Sequence, residues 1–169
     1  VACATATELL VRVRAEPPDV VVVDIRLPPT HTDEGMRAAL HIREHHRDVG
    51  VLVLSQYLEL GLATQLFDQS TEGAGYLLKD AEPASLVEAV RAVASGQSPL
   101  DPRVARTYLT TRRAPAGPEL TDREREVLAL VGMGLANKQI ARRLDIREGT
   151  VKAHLTRVFQ QIGVRDLRR

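Results

Sequence analysis

Three short apolar runs in this chain each end in a residue able to do chemistry. Val20-Val21-Val22-Val23 leads into Asp24, Val51-Leu52-Val53-Leu54 into Ser55, and Ala74-Gly75-Tyr76-Leu77-Leu78 into Lys79. Runs this short and this apolar suit strands buried on both faces of a parallel sheet. Function in such sheets collects at the carboxyl ends of the strands, so a carboxylate, a hydroxyl and an ammonium would converge on one crevice. An aspartate with room for in-line attack can accept a phosphoryl group. The lysine would neutralise the new dianion, and the hydroxyl would hydrogen-bond one of its oxygens. Tyr76, three residues before Lys79, is an aromatic at a strand end, able to change rotamer when Ser55 moves. Any parallel sheet also leaves polar residues at its strand ends, so these residues alone fit a solvated rim as well.

The elements that must position them alternate with helical stretches over residues 33–46, 58–69 and 83–95, the last carrying Leu86, Val87, Val90 and Val93 in period. Strand and helix in alternation predict a doubly wound α/β sheet. Charge divides the chain. Residues 1–118 hold 12 Lys+Arg against 15 Asp+Glu, and residues 119–169 hold 11 against 7, so the overall +1 conceals an acidic front and a basic tail.

The tail has its own pattern. Thr121-Asp122-Arg123-Glu124 reads as a capping box ahead of an apolar run, Val127, Leu128, Leu130 and Val131, that Gly132 and Gly134 stop. A second helix is expected over residues 137–144, with Ile140, Ala141 and Leu144 inward, then the turn Asp145-Ile146-Arg147, then a third helix over residues 148–162. On that third helix Val151, Leu155, Val158 and Ile162 share a stripe, and Lys152, Ala153, Thr156, Arg157 and Gln160 lie opposite. The opposite side offers a cation, small residues, a hydroxyl and an amide, types that meet phosphates and base edges. Periodicity alone fits a helical hairpin with a solvated polar face equally well.

The residues themselves resemble the LuxR-type DNA-binding domain. Its opening stands here as Leu120-Thr121-Asp122-Arg123-Glu124-Arg125-Glu126-Val127-Leu128. Its middle is Gly134-Leu135-Ala136-Asn137-Lys138-Gln139-Ile140-Ala141, and its recognition helix Thr150-Val151-Lys152-Ala153-His154. The resemblance implies base contacts from Lys152, Ala153 and Thr156, and phosphate contacts from Asn137, Lys138, Thr150 and Arg157. Ala136 and Arg147 stand where the family usually has a capping serine, a loss of about 1 kcal/mol at each helix start.

The front resembles a response-regulator receiver through Asp24-Ile25-Arg26-Leu27-Pro28, Ser55 and Gly75-Tyr76-Leu77-Leu78-Lys79-Asp80. Together the halves are similar to NarL/FixJ-type two-component regulators. The resemblance implies a flavodoxin-like receiver over residues 1–97, a linker over 98–118 and the helix-turn-helix over 119–169. It implies Asp24 as phosphoacceptor, Ser55 and Tyr76 as switch residues and Lys79 as phosphate partner, with Mg²⁺ on Asp24 and the backbone carbonyl of Arg26. The family's first strand, with its acidic pair, and first helix have no counterpart, so Val1–Ala4 is expected as the family's second strand, followed by a helix over residues 7–14. Without the pair, inefficient phosphorylation is expected. Only Leu167-Arg168-Arg169 follow where a fourth helix carries the family's dimer contact, and both ends read as those of a fragment.

Within the linker, residues 101–113 are expected as a helix with Val104, Tyr108 and Leu109 inward, and Ala114-Pro115-Ala116-Gly117-Pro118 as a flexible break. Such a joint would let the receiver cover the recognition helix and release it on activation. Cys3 is alone and no apolar run is long enough for a membrane span, which fits a reducing cytoplasm. His41, His45 and His46 share a helix without a cysteine or carboxylate partner to make a metal site. The expected function is that of a bacterial two-component transcription regulator, not an enzyme. Its expected partners are duplex DNA, a histidine kinase, a second copy on DNA and RNA polymerase. A pseudo-receiver acting through protein contacts is the alternative, and a phosphohydrolase using Asp24 ranks last because Arg26 stands where it needs a second aspartate. If Lys138 meets the phosphate backbone, Lys138→Ala weakens binding to all duplexes alike and lowers the slope of affinity against salt by about 1; a sequence-selective loss would contradict the assignment.

Overall fold

The computed structural model describes residues 1–67, 70–111 and 120–166. Three parallel strands, β1 (Val20–Asp24), β2 (Gly50–Ser55) and β3 (Ala74–Leu78), form a sheet in the order β1-β2-β3. Asp24 pairs with Leu54 and Ser55 with Leu78, so the register brings the three predicted strand ends to one edge. The helices α1 (Ala6–Ala15), α2 (Glu34–His45), α3 (Leu60–Phe67) and α4 (Pro83–Ala94) alternate with the strands. One face of the sheet, including Val21, Val23, Val51, Val53 and Tyr76, packs under α2 and α3; the other, including Leu52 and Leu77, packs under α4.

Gly35 fixes how closely α2 meets the sheet. A Cβ there would lie 1.7 Å from the carbonyl oxygen of Asp24, and the Gly35 amide donates to the Ile25 carbonyl at 2.9 Å. The loop after Asp24 is thereby pinned to the strand end that precedes it.

The expected strand at Val1–Ala4 does not form. An isolated extended segment leaves its backbone groups unpaired, and here the Ala4 amide turns to the Glu8 carboxylate (3.0 Å) at the start of α1. β1 consequently has a free outer edge among the described residues. Gly50 donates to the Asp19 carbonyl and Ile25 to the Leu54 carbonyl, so odd-numbered residues face β2 and the backbone groups of Val20, Val22 and Asp24 point outward.

On the far side of the sheet, residues 98–101 run extended beside β3: Tyr76 donates to the Pro99 carbonyl (2.9 Å) and Asp101 to the Tyr76 carbonyl (2.8 Å). Then α5 (Pro102–Thr111) packs on α6 (Asp122–Gly132), which with α7 (Asn137–Leu144) and α8 (Glu148–Asp166) makes the second domain. The helix expected over residues 101–113 is present as α5, with Val104 buried. The side chains of Tyr108 and Leu109, and the break at 114–118, lie outside the described residues. The capping box of α6 is formed in both directions: Glu124 N–H donates to Thr121 Oγ1 (3.3 Å) and Thr121 N–H to the Glu124 carboxylate (2.9 Å).

The start of α5 is anchored by charge. Asp101 is almost fully buried and accepts from the Leu78 amide (3.2 Å) and from the Arg103 amide and guanidinium, while Arg103 also grips Asp80. Burial pushes the Asp101 carboxyl upward, but Arg103 and the two amides outweigh it and hold it below the usual carboxylate range. A depressed native pKa contributes stability that is present above the unfolded value of about 4 and lost as pH falls through the native one. Arg103→Ala should cost about 1–3 kcal/mol in denaturant titrations at neutral pH and should blunt the loss of stability on acidification; an unchanged acid profile would show that Asp101 does not carry it.

Candidate phosphoryl-acceptor crevice and nucleic-acid interface

Asp24, Ser55, Tyr76 and Lys79 come together at the carboxyl edge of the sheet. Lys79 Nζ lies 2.5 Å from Asp24 Oδ2, and the Lys79 amide donates to the Ser55 carbonyl at 2.8 Å, joining the ends of β2 and β3. Ser55 is buried, and its hydroxyl donates to the Tyr57 carbonyl at 2.6 Å. Tyr76 is fully buried; its hydroxyl donates to the same carbonyl (3.2 Å) and accepts from the Glu59 amide (3.4 Å). Burial pushes the Tyr76 phenol above its ordinary pKa, keeping it a donor. The two expected switch residues thus share one acceptor, in the loop that leads into α3.

Sequence reasoning assigned Arg26 only a carbonyl, and it missed Tyr57 and Glu59. The Arg26 amide donates to Asp24 Oδ1 (3.2 Å), its guanidinium lies 3.2 Å from Glu59 Oε1, and its Cζ stands 5.5 Å from the centre of the Tyr57 ring. Arginine two residues after Asp24, and an aromatic two after Ser55, were the available signals.

This donor set does not fit Mg²⁺. A magnesium site wants oxygen ligands, commonly one or two carboxylates, in octahedral array. Asp24 has one oxygen on an ammonium and the other on an amide, and the described residues contain no group of three or more His, Cys, Asp or Glu placed to hold a metal ion. The positive charge in the crevice comes from Lys79 and Arg26.

The second domain turns part of its reading face inward. On α8, Val151, Leu155 and Val158 are buried as the period requires, and so is Phe159, which the expected stripe omitted. Phe159 stacks on Phe67 of α3, centroids 4.4 Å apart at 18°. Beside the stack, Lys152 Nζ donates to the Gly96 carbonyl (2.6 Å) and lies 3.7 Å from the Glu72 carboxylate. The Thr156 hydroxyl donates to the Lys152 carbonyl (3.0 Å) and reaches the Thr71 hydroxyl at 3.5 Å. Lys138, Thr150, Ala153 and Arg157 remain exposed, whereas Asn137 is buried with its Nδ2 unpartnered. His154, placed near the edge of the stripe, has a buried Nδ1 without a partner. α7 starts without a capping oxygen: Gln139 Oε1 accepts from the Ala136 amide (2.8 Å), and alanine has nothing to return.

With this geometry in view, the comparisons agree. Residues 1–91 match the model for the response regulator receiver domain, and residues 118–169 that for the bacterial regulatory proteins of the luxR family. The chain is 34% identical over 166 residues to the DNA-binding transcriptional activator DevR/DosR of Mycobacterium tuberculosis, covering 95% of this chain and 74% of that protein. It is 35% identical to the transcriptional regulatory protein LnrK of Bacillus subtilis, covering 88% and 71%. A LuxR-family response regulator from an Aurantimonas species has a solved structure with TM-score 0.55 and 30% identity over 66% of this chain and 76% of that one. RcsB of Salmonella typhimurium shares the fold at TM-score 0.52 and 23% identity, over 95% of this chain and 77% of that one. The fold and site define a receiver joined to a helix-turn-helix. The chain belongs to the two-component response regulators of the NarL and LuxR type, DNA-binding transcription regulators of bacteria. No helix among the described residues is long and apolar enough to cross a membrane.

The aromatic stack ties the two domains. Phe67→Leu retains an apolar side chain and removes the ring pair, worth about 0.5–1.5 kcal/mol. The variant should bind a mixed-sequence duplex about 2- to 10-fold more tightly and scatter X-rays as a more extended particle. Unchanged affinity with an unchanged scattering profile would release the stack from that role.

Proposed function

We propose that this protein is a phosphorylation-controlled transcription regulator in its closed form, with Asp24 as the phosphoacceptor and α8 as the DNA-reading helix. The observation that carries the reading is the engagement of Lys152 and Thr156 by Gly96 and Thr71 of the receiver. Residues expected to reach base edges are held by the domain that would sense the signal. Duplex DNA needs Lys152 Nζ free, and the Gly96 carbonyl and Glu72 carboxylate occupy it.

At the crevice a kinase phosphohistidine would supply the phosphoryl group. The Asp24 carboxylate attacks phosphorus, the P–N bond breaks as the new O–P bond forms, and the imidazole leaves with its proton. Lys79, already at Asp24, offsets the added negative charge. Ser55 and Tyr76, now both on the Tyr57 carbonyl, are the groups able to turn toward the phosphoryl oxygens. Lys138, Thr150 and Arg157 would meet phosphates of the duplex, and Lys152, Ala153 and Thr156 its bases; Asn137, buried in this closed form, would join them only once exposed. A second copy on DNA is supported by the solved RcsB dimers bound to DNA.

A second reading is favoured by one observation, that the described residues bring no magnesium set to Asp24. On that reading the receiver is a docking domain, and partner proteins rather than phosphorylation open the seam. Intact mass after incubation with a small phosphoramidate donor, with and without Mg²⁺, separates the two. A phosphoryl adduct on the parent that is absent from Asp24→Asn, with tighter binding of a mixed-sequence duplex by the adduct, is expected. A folded parent that takes no adduct under either condition would leave the docking reading.

A further inference from the structure

We propose that Arg26 relays the charge state of Asp24 to α3 by exchanging the Glu59 carboxylate for a phosphoryl group on Asp24. The inference rests on the phosphoacceptor reading given above. Arg26 stands at a branch between two anions: its amide is already on Asp24 Oδ1, and its guanidinium is on Glu59. Its side chain is 48% exposed and that of Glu59 31%, so the pair is held by charge and by the Tyr57 ring rather than by a closed pocket.

Glu59 is where α3 begins. Its carbonyl accepts from the Ala63 amide (3.1 Å), and its amide donates to the Tyr76 hydroxyl (3.4 Å). One residue therefore couples the helix start to both Arg26 and the buried tyrosine. At the other end of this eight-residue helix, Phe67 stacks on Phe159 of α8. Loss of the Arg26 tether at one end reaches the domain seam through a single rigid element.

The direction follows from charge. Phosphorylation replaces the single charge of the Asp24 carboxylate with a phosphoryl group of roughly −1.5 to −2, of which Lys79 matches one unit. Guanidinium presents a donor fork that suits phosphate oxygens, and those bonds are shorter and stronger than its exposed contact with Glu59. The exchange moves hydrogen bonds only. The covalent step remains the attack of Asp24 on phosphorus, with the P–N bond of the donor breaking and its nitrogen leaving with a proton.

Two variants of the full chain test this, each treated with phosphoramidate, weighed for phosphoryl content and titrated with a fluorescent mixed-sequence duplex. Glu59→Gln keeps Arg26 and breaks the pair. Before phosphorylation it should bind DNA about two- to five-fold more tightly than the parent, and its further gain on phosphorylation should shrink by the same factor. The exchange Arg26→Glu with Glu59→Arg restores a pair but removes the cation from the position two residues after Asp24. At matched phosphoryl content its DNA affinity should stay near the unphosphorylated value. A Glu59→Gln protein that responds as the parent does, or an exchanged protein that opens fully once phosphorylated, overturns the relay and leaves the role of Asp24 intact. A parent that takes no phosphoryl group overturns both.

Discussion

The seam between α3 and α8 governs how this molecule can behave, because one apolar cluster runs through it. Val21, Val23 and Tyr76 of the sheet side, Leu66 and Phe67 of α3, and Val151, Leu155 and Phe159 of α8 belong to the same buried set. Phe67 and Phe159 close it, and Lys152 seals its border on the Gly96 carbonyl. Small aromatic and polar contacts of this kind are individually worth about 1 kcal/mol. On the proposed reading, a charged event in the crevice works against the few of them that border this cluster.

Much of this was legible in the sequence, for identifiable reasons. Continuous valine and leucine runs ending in Asp24, Ser55 and Lys79 admit few arrangements other than parallel strands with their ends aligned. The Thr121–Glu124 box and the Val151, Leu155, Val158 stripe are local signals, and both formed as read. The strand expected at Val1–Ala4 failed because strand formation depends on a neighbour, which four residues cannot declare. Phe159 escaped the stripe because its partner, Phe67, lies in another domain. For the same reason Lys152 read as solvent-facing: on its own helix it is polar and outward, and only tertiary contact shows the receiver there.

The crevice illustrates a second limit. Spacing placed Asp24 and Lys79 at neighbouring strand ends, but the ion pair between Arg26 and Glu59 spans 33 residues and follows no motif. It exists because the β2–α3 loop, drawn in by the Ser55 and Tyr76 hydroxyls on the Tyr57 carbonyl, carries Glu59 over the strand end. Lys79 and Arg26 balance Asp24 and Glu59, which leaves this crevice near neutral where a metal-dependent site would be acidic.

If Lys152 reads a base edge as proposed, it cannot hold the Gly96 carbonyl at the same time, and the receiver and the duplex become competing ligands for one ammonium. The apparent affinity for DNA would then be the intrinsic affinity scaled by the fraction of molecules with the seam open. Linkage makes this reciprocal: whatever opening contributes to DNA binding, DNA returns to the open receiver by the same factor. On that reading operator sites would themselves be effectors of the receiver.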